Sequence, residues 1–138
     1  MDHAQSHRVT VLGTGLVGSA IVADLAKDAN LTITAVDANP AALERLARST
    51  GVRTQAADLR APGAIAGLVA DAELVVLAVP GFMGFESLRQ VLEAGKPVVD
   101  ISFFPEDAFL LDDLAKAKGV TAVVDCGVAP GVANIVAG

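Results

Sequence analysis

Residues 8–18 read Arg-Val-Thr-Val-Leu-Gly-Thr-Gly-Leu-Val-Gly. Val9 to Leu12, four β-branched or aliphatic residues after Arg8, end at Gly13, which predicts a strand over 8–12. Gly13, Gly15 and Gly18 then fall at G-x-G-x-x-G spacing, with Thr14, Leu16 and Val17 between them, and a helical pattern runs from about residue 16 to 27. Each glycine has its own reason in a strand–turn–helix of this kind. Gly13 permits the tight turn, Gly15 leaves the backbone bare where a pyrophosphate approaches, and Gly18 lets the helix pack closely on the strand. The helix start adds free N–H groups and the positive end of its dipole, both suited to phosphate. Glycine-rich chains produce such a spacing by chance, so its weight rests on what surrounds it.

Outward from that turn, short β-branched runs alternate with amphipathic helical stretches. Strands are predicted at 31–36, 52–57, 74–79, 97–101 and 120–124, and helices at 40–49, 61–69, 84–94 and 105–118. Pro40 suits a first helical turn, where its missing N–H costs nothing, and Asn39 precedes it as N-cap. Gly51, Gly95 and Gly119 stand where helices should close. Strands alternating with helices imply right-handed crossovers and a parallel sheet. The expected fold class is therefore α/β, a Rossmann fold: a doubly wound six-stranded parallel sheet of order 3-2-1-4-5-6 with helices on both faces. The expected organisation is a flexible tail over 1–7, including His3 and His7, and one domain over 8–138. The stretch from Pro130 reads as a helix just beginning, as if the chain stopped short of a further domain.

In such a fold, strand ends carry the ligand contacts. Asp37 ends the second strand about 20 residues beyond the glycine motif, the offset of the acid that bonds the adenosine ribose. Its carboxylate accepts from ribose hydroxyls and repels a 2′-phosphate. Ala38-Asn39-Pro40 supplies no cation to offset that, so NAD is expected over NADP. The blander reading of Asp37, a cap for the next helix, suits Asn39 better. Asp58 and Leu59 follow the third strand, where an adenine amine and ring would lie, a turn role being the equal alternative. Ala78, Val79 and Pro80 follow the fourth strand and are small enough for close backbone approach, with the chain turning at Gly81. Ser102 follows the fifth, placed to bond a nicotinamide carboxamide or to serve as an ordinary turn residue.

Composition closes off other classes. The chain is 53% hydrophobic with 4% aromatics and no Trp or Tyr, which offers no base-stacking surface. Net charge is −6 and the Lys and Arg residues are dispersed, so nucleic acid is not an expected partner. No apolar run approaches the ~18 residues of a membrane span. The chain has one cysteine, so no internal disulfide or cysteine metal cluster is expected, and no metal site is assigned. A reducing compartment fits a lone cysteine, and residues 1–7 lack the apolar stretch of a secretory signal, so the expected location is the cytoplasm. Cys126 is expected to be a small core residue, and Asp112 and Asp113 a solvated face in the middle of the fifth helix.

The run Asp125-Cys126-Gly127-Val128-Ala129-Pro130-Gly131-Val132-Ala133-Asn134 resembles the G-x-x-P-G-x-x-N signature of the saccharopine dehydrogenase family. Its D-C-G-x-x-P-G form is most similar to the lysine 6-dehydrogenase branch, and Val99-Asp100-Ile101-Ser102 and the glycine opening also look like that family. The resemblance implies an NAD-dependent oxidoreductase that transfers hydride at a carbon bearing an amine, with the nicotinamide near Gly127. It also implies a second domain that carries most contacts to an amino-acid or amine substrate, and a homo-oligomer in the full-length protein. These 138 residues alone are then expected to be inactive, and no catalytic acid or base is assigned. The competing reading is a non-catalytic NAD(H)-sensing Rossmann module. The segment 127–134 argues against it, because a sensor has no evident need of a P-G turn leading into a further helix.

Overall fold

The computed structural model describes residues 5–138, so the expectation for His3 lies outside the described residues. Six parallel strands form one sheet in the order β3-β2-β1-β4-β5-β6. The strands are β1 (His7–Leu12), β2 (Leu31–Asp37), β3 (Arg53–Ala56), β4 (Leu74–Leu77), β5 (Val98–Asp100) and β6 (Ala122–Val123). The helices are α1 (Leu16–Leu25), α2 (Pro40–Thr50), α3 (Ala64–Leu68), α4 (Gly81–Glu93), α5 (Asp112–Lys118) and α6 (Val132–Ala137), with a 3₁₀ turn over Ala108–Leu111. The doubly wound order is the one expected from the strand–helix alternation.

Successive side chains of a strand point to opposite faces, and the core divides accordingly. Val9 and Val11 of β1 join Ile33 and Ala35 of β2 under α1 and α2, against Val22, Leu43 and Leu46. Leu12 and Val36 face the other way, with Val75 and Leu77, beneath Ile65 of α3 and Leu88, Val91 and Leu92 of α4. β1 and β4 are thus covered on both sides, as central parallel strands require. Asn39 caps α2 through Oδ1, which accepts from the Ala41 and Ala42 N–H groups at 3.1 and 3.2 Å. Gly51 ends α2 in the left-handed region at φ 74°.

Several boundaries differ from expectation for physical reasons. His7 is the first residue of β1 and pairs with Leu31, not part of a tail, and its Nδ1 lies 3.4 Å from Glu73 Oε1. β3 is shorter than 52–57 and exposed along its length, because Arg53-Thr54-Gln55-Ala56 is an edge strand without an apolar face. Helix α3 occupies only part of 61–69, after turns at Asp58 and Ala61. Helix α4 begins at Gly81, three residues before Gly84, because both glycines admit the chain beyond β5. A Cβ at Gly81 would stand 2.0 Å from the Phe103 carbonyl oxygen. The helix expected over 105–118 is divided: Asp107 caps the 3₁₀ turn by accepting from Phe109 N–H at 2.9 Å, and α5 proper starts at Asp112. Asp112 and Asp113 therefore lie in the first turn of α5, where negative charge complements the dipole, and Asp112 pairs with Lys116.

Candidate cofactor site

The glycine turn is fixed by two interlocked close approaches. Gly13 has φ 95°, and a Cβ on it would lie 2.4 Å from the Ala78 carbonyl oxygen at the end of β4. A Cβ on Gly18 would lie 2.1 Å from the Gly13 carbonyl oxygen and 3.4 Å from Ala78 Cβ. Gly13 and Gly18 are thus demanded by the fold itself. Gly15 is different. Its φ of −64° suits any residue, and nothing stands within 4 Å of where its Cβ would be. The protein's own packing gives no reason for glycine at 15, whereas close approach of a phosphate does.

Asp37 at the end of β2 is tied to this turn. Its Oδ2 accepts from the Thr14 N–H at 2.7 Å, and its Oδ1 accepts from the Asn39 N–H at 2.9 Å. The carboxylate therefore joins the glycine turn to the start of α2 and keeps lone pairs for further donors. The Ser19 hydroxyl lies 2.7 Å from the Thr14 carbonyl oxygen and 2.6 Å from that of Gly15, holding the first turn of α1. The Thr14 Oγ1 is buried without a hydrogen-bond partner among the described residues.

Two grooves flank the turn. One, of about 540 Å³, runs from Thr14, Gly15 and Asp37 along α2 past Asn39, Ala42 and Arg45. The other, of about 400 Å³, is lined by Gly13, Gly15, Asp37, Ala78, Val79, Pro80 and Ser102, with Phe103 at its rim. Large apolar side chains stand uncovered along them: Leu16 is 92% exposed and Phe103 69%. Apolar surface beside a polar, glycine-lined cleft is what a bound ligand would cover. The residues present thus fit a dinucleotide, with open backbone at Gly15, a helix start at Leu16 and a carboxylate at Asp37.

Ser102 and Gly127 both lie near the end of β5. Gly127 lies against the Ile101 carbonyl oxygen, 3.3 Å from where its Cβ would be, and the Cys126 N–H donates to the Asp100 carbonyl at 3.2 Å. Ser102 is buried and bonded to Asp100: its N–H and its hydroxyl both reach Asp100 Oδ1, at 2.7 and 2.6 Å. Burial pushes the Asp100 carboxyl above its ordinary pKa; the Ser102 hydrogen bonds oppose the rise and the charge of Asp125 adds to it.

The structure gives three of the expected residues particular surroundings. Leu59 is 6% exposed and packs in the core with Val36 and Ile65, so its side chain is not free to cover a ring. Asp58 is held by Arg60, whose Nε and Nη2 donate to its two oxygens at 2.9 and 3.0 Å. That side-chain pairing, with the Arg60 backbone N–H, lowers its pKa to about 2. Cys126 is exposed rather than buried, and follows Asp125, whose backbone adopts a positive φ of 59°. Ala38 is exposed, between Asp37 and Asn39 of the first groove. Arg45 and Phe103 went unnoticed in the sequence. Arg45 was legible in principle, since α2 carries it toward the groove that Asp37 opens, whereas Phe103 depends on how the chain leaves β5.

A parallel sheet of this order, with a glycine turn and an acid at adjacent strand ends, defines an NAD(P)-binding domain of the Rossmann type. The chain belongs to the family described as the saccharopine dehydrogenase NADP-binding domain, which matches residues 9–123. Among solved structures, it is similar to apo saccharopine dehydrogenase (L-Glu forming) from Saccharomyces cerevisiae, with a TM-score of 0.86 and 21% identity over 96% of this chain and 30% of that one. GenD2 from gentamicin A biosynthesis, solved with NAD, gives a TM-score of 0.70 at 22% identity over 87% of this chain and 34% of that one. Biliverdin reductase from Synechocystis, solved with biliverdin and NADP+, gives 0.62 at 24% identity over 85% and 37%. The chain spans about a third of the length of these proteins. No helix among the described residues is long and apolar enough to cross a membrane.

Proposed function

We propose that the chain binds NAD(H) in preference to NADP(H), as the cofactor domain of an oxidoreductase acting at a carbon bearing an amine, in the manner of the lysine 6-dehydrogenase branch. The observation that carries the cofactor reading is the pairing of an unobstructed Gly15 with the Asp37 carboxylate on one groove. The N–H groups at the start of α1 receive the pyrophosphate, and the oxygens of Asp37 receive the ribose hydroxyls. Ala78, Val79 and Pro80 give close backbone approach on the nicotinamide side, where Ser102 and Gly127 lie. Once bound, the nicotinamide supplies the hydride chemistry, and the chain's part is to hold and orient it. A 2′-phosphate would meet Asp37 directly, with residues 38–40 offering no cation. Arg45 lies farther along α2, about one and a half turns from its start.

The substrate reading rests on the Asp125-Cys126-Gly127 and Pro130-Gly131 run, and its amine or amino acid is held by a second domain of a homo-oligomeric, cytoplasmic enzyme. No residue of this chain is assigned as acid or base. Calorimetric titration of the chain with NAD+ and NADP+ tests the cofactor reading. NAD+ binds at least about tenfold more tightly if Asp37 meets the ribose, a difference of about 1.4 kcal/mol. Equal or reversed affinities overturn it.

A further inference from the structure

Ser102 sits in an arrangement that fixes which hydrogen-bonding role it plays toward the cleft. Asp100 Oδ1 accepts twice from Ser102, from the N–H at 2.7 Å and from the hydroxyl at 2.6 Å. While Asp100 is ionised its oxygens can only accept, so the Ser102 hydroxyl is the donor. The other oxygen, Oδ2, is buried and has no partner among the described residues. The direction of the Ser102 bond is therefore fixed in the ionised state of Asp100, the state in which the subsite operates. The hydroxyl proton is committed inward, and Ser102 Oγ has only lone pairs left to offer.

The surroundings keep it that way. Ser102 is 6% exposed and still lines the groove shared by Gly13, Gly18, Val79 and Pro80. On its other side lies Gly84 of α4, where a Cβ would stand 2.4 Å from Ser102 Oγ. Glycine inside a helix costs about 0.5–1 kcal/mol relative to alanine, and here it leaves room for this hydroxyl. Phe104, just beyond, packs edge-on against Phe85 of the same helix at 5.8 Å and holds the segment down.

We propose that Ser102, with Asp100 as its positioning residue, forms an acceptor-only subsite that takes the amide N–H of the cofactor's carboxamide and so selects the orientation of the nicotinamide ring. The inference rests on the cofactor reading above and adds to it the direction of one hydrogen bond and the residue that enforces it. A ligand bearing a carbonyl but no N–H at that place has nothing to give Ser102. A free serine, able to rotate and donate, accommodates both.

The test compares three ligands by calorimetry: NAD+, 3-acetylpyridine adenine dinucleotide, in which a methyl group replaces the carboxamide nitrogen, and ADP-ribose, which lacks the ring. The wild-type chain binds NAD+ about three- to tenfold more tightly than the acetylpyridine analogue, the worth of one hydrogen bond. Ser102→Ala brings that ratio close to one and leaves ADP-ribose affinity unchanged. Asp100→Ala releases the hydroxyl proton and also collapses the ratio, whereas Asp100→Asn, whose amide oxygen still accepts from Ser102, keeps it. Ser102→Ala carries the test by itself should Asp100→Ala not fold. ADP-ribose binding with equal affinities for NAD+ and the analogue overturns the subsite and leaves the cofactor reading standing. A chain that binds none of the three overturns both.

Discussion

Gly15 and Gly18 are three residues apart in one motif, yet the structure gives them opposite responses to a single methyl group. At Gly18 a Cβ would stand 2.1 Å from the Gly13 carbonyl oxygen, so α1 or the glycine turn must move by more than an ångström. Overpacking of this kind costs about 1–3 kcal/mol or more. At Gly15 the methyl meets nothing within 4 Å and φ is −64°. Alanine is a poorer N-cap than glycine, but it also narrows the unfolded ensemble, and these opposing effects leave a net change within about 1 kcal/mol. The cost at Gly15 appears in binding. A methyl over the helix start displaces the pyrophosphate from about two charge-assisted hydrogen bonds, each worth about 1.5–3 kcal/mol. That is a loss of about 10²–10⁴ in NAD+ affinity. Thermal unfolding and calorimetry on the two alanine variants separate the effects. Gly18→Ala lowers Tm by several degrees, at about 3–6 °C per kcal/mol for a domain of this size. Gly15→Ala holds Tm within a few degrees and loses NAD+. A folded Gly15→Ala variant with wild-type affinity would refute the placement of the phosphates.

Asp37→Ala weakens NAD+ by about 1–3 kcal/mol through the lost charge-assisted bonds and narrows the preference over NADP+, read by calorimetry with both cofactors. Unchanged discrimination removes Asp37 from the ribose. Leu59→Ala lowers the urea midpoint by the equivalent of about 2–5 kcal/mol, as for a buried leucine, while NAD+ affinity of the folded chain stays constant; weaker binding instead would return Leu59 to the adenine. Asp100 has a folded-state pKa above its unfolded value, so its favourable contribution is fully present below the ordinary carboxylate value and is lost as pH rises through the folded one. Urea unfolding between about pH 3 and pH 7 therefore finds the wild type losing stability relative to Asp100→Asn as pH rises; a constant gap contradicts a raised pKa.

The architecture was legible because its punctuation has local causes. Gly13 needs a positive φ, Pro40 and Asn39 mark the start of α2 and Gly51 its end, each an effect of residues within a few positions. The candidate acid was legible for a similar reason, since Asp37 stands at a fixed offset from the glycine motif, and the structure ties its carboxylate to that turn. The misplaced features depend on contacts across the sheet. No periodicity warns that Arg53-Thr54-Gln55-Ala56 forms an edge strand exposed along its length. Leu59 follows a strand end, where alternation has stopped and a turn decides which way a side chain faces. The early start of α4 at Gly81 depends on the Phe103 carbonyl, twenty-two positions away. Cys126 is exposed and follows Asp125, a non-glycine residue at φ 59° that composition does not reveal.

The hydrogen bond from Thr14 N–H to Asp37 Oδ2 bears on how cofactor preference can change over evolutionary time or in the hands of an engineer. If Asp37 meets the ribose as proposed, the side chain that would be exchanged to admit a 2′-phosphate is also a strut of the glycine loop proposed to hold the pyrophosphate. Replacing it by an apolar or basic residue removes an acceptor from Thr14 along with the repulsive charge, so the first step toward the other cofactor weakens the hold on both. Asparagine and serine keep an acceptor in place and open a route on which the strut survives while its charge is shed. A cation supplied from α2, on the face where Arg45 already stands, can follow as a separate step. On the proposed reading, cofactor preference is therefore path-dependent, and the order of substitutions decides whether the intermediates bind anything.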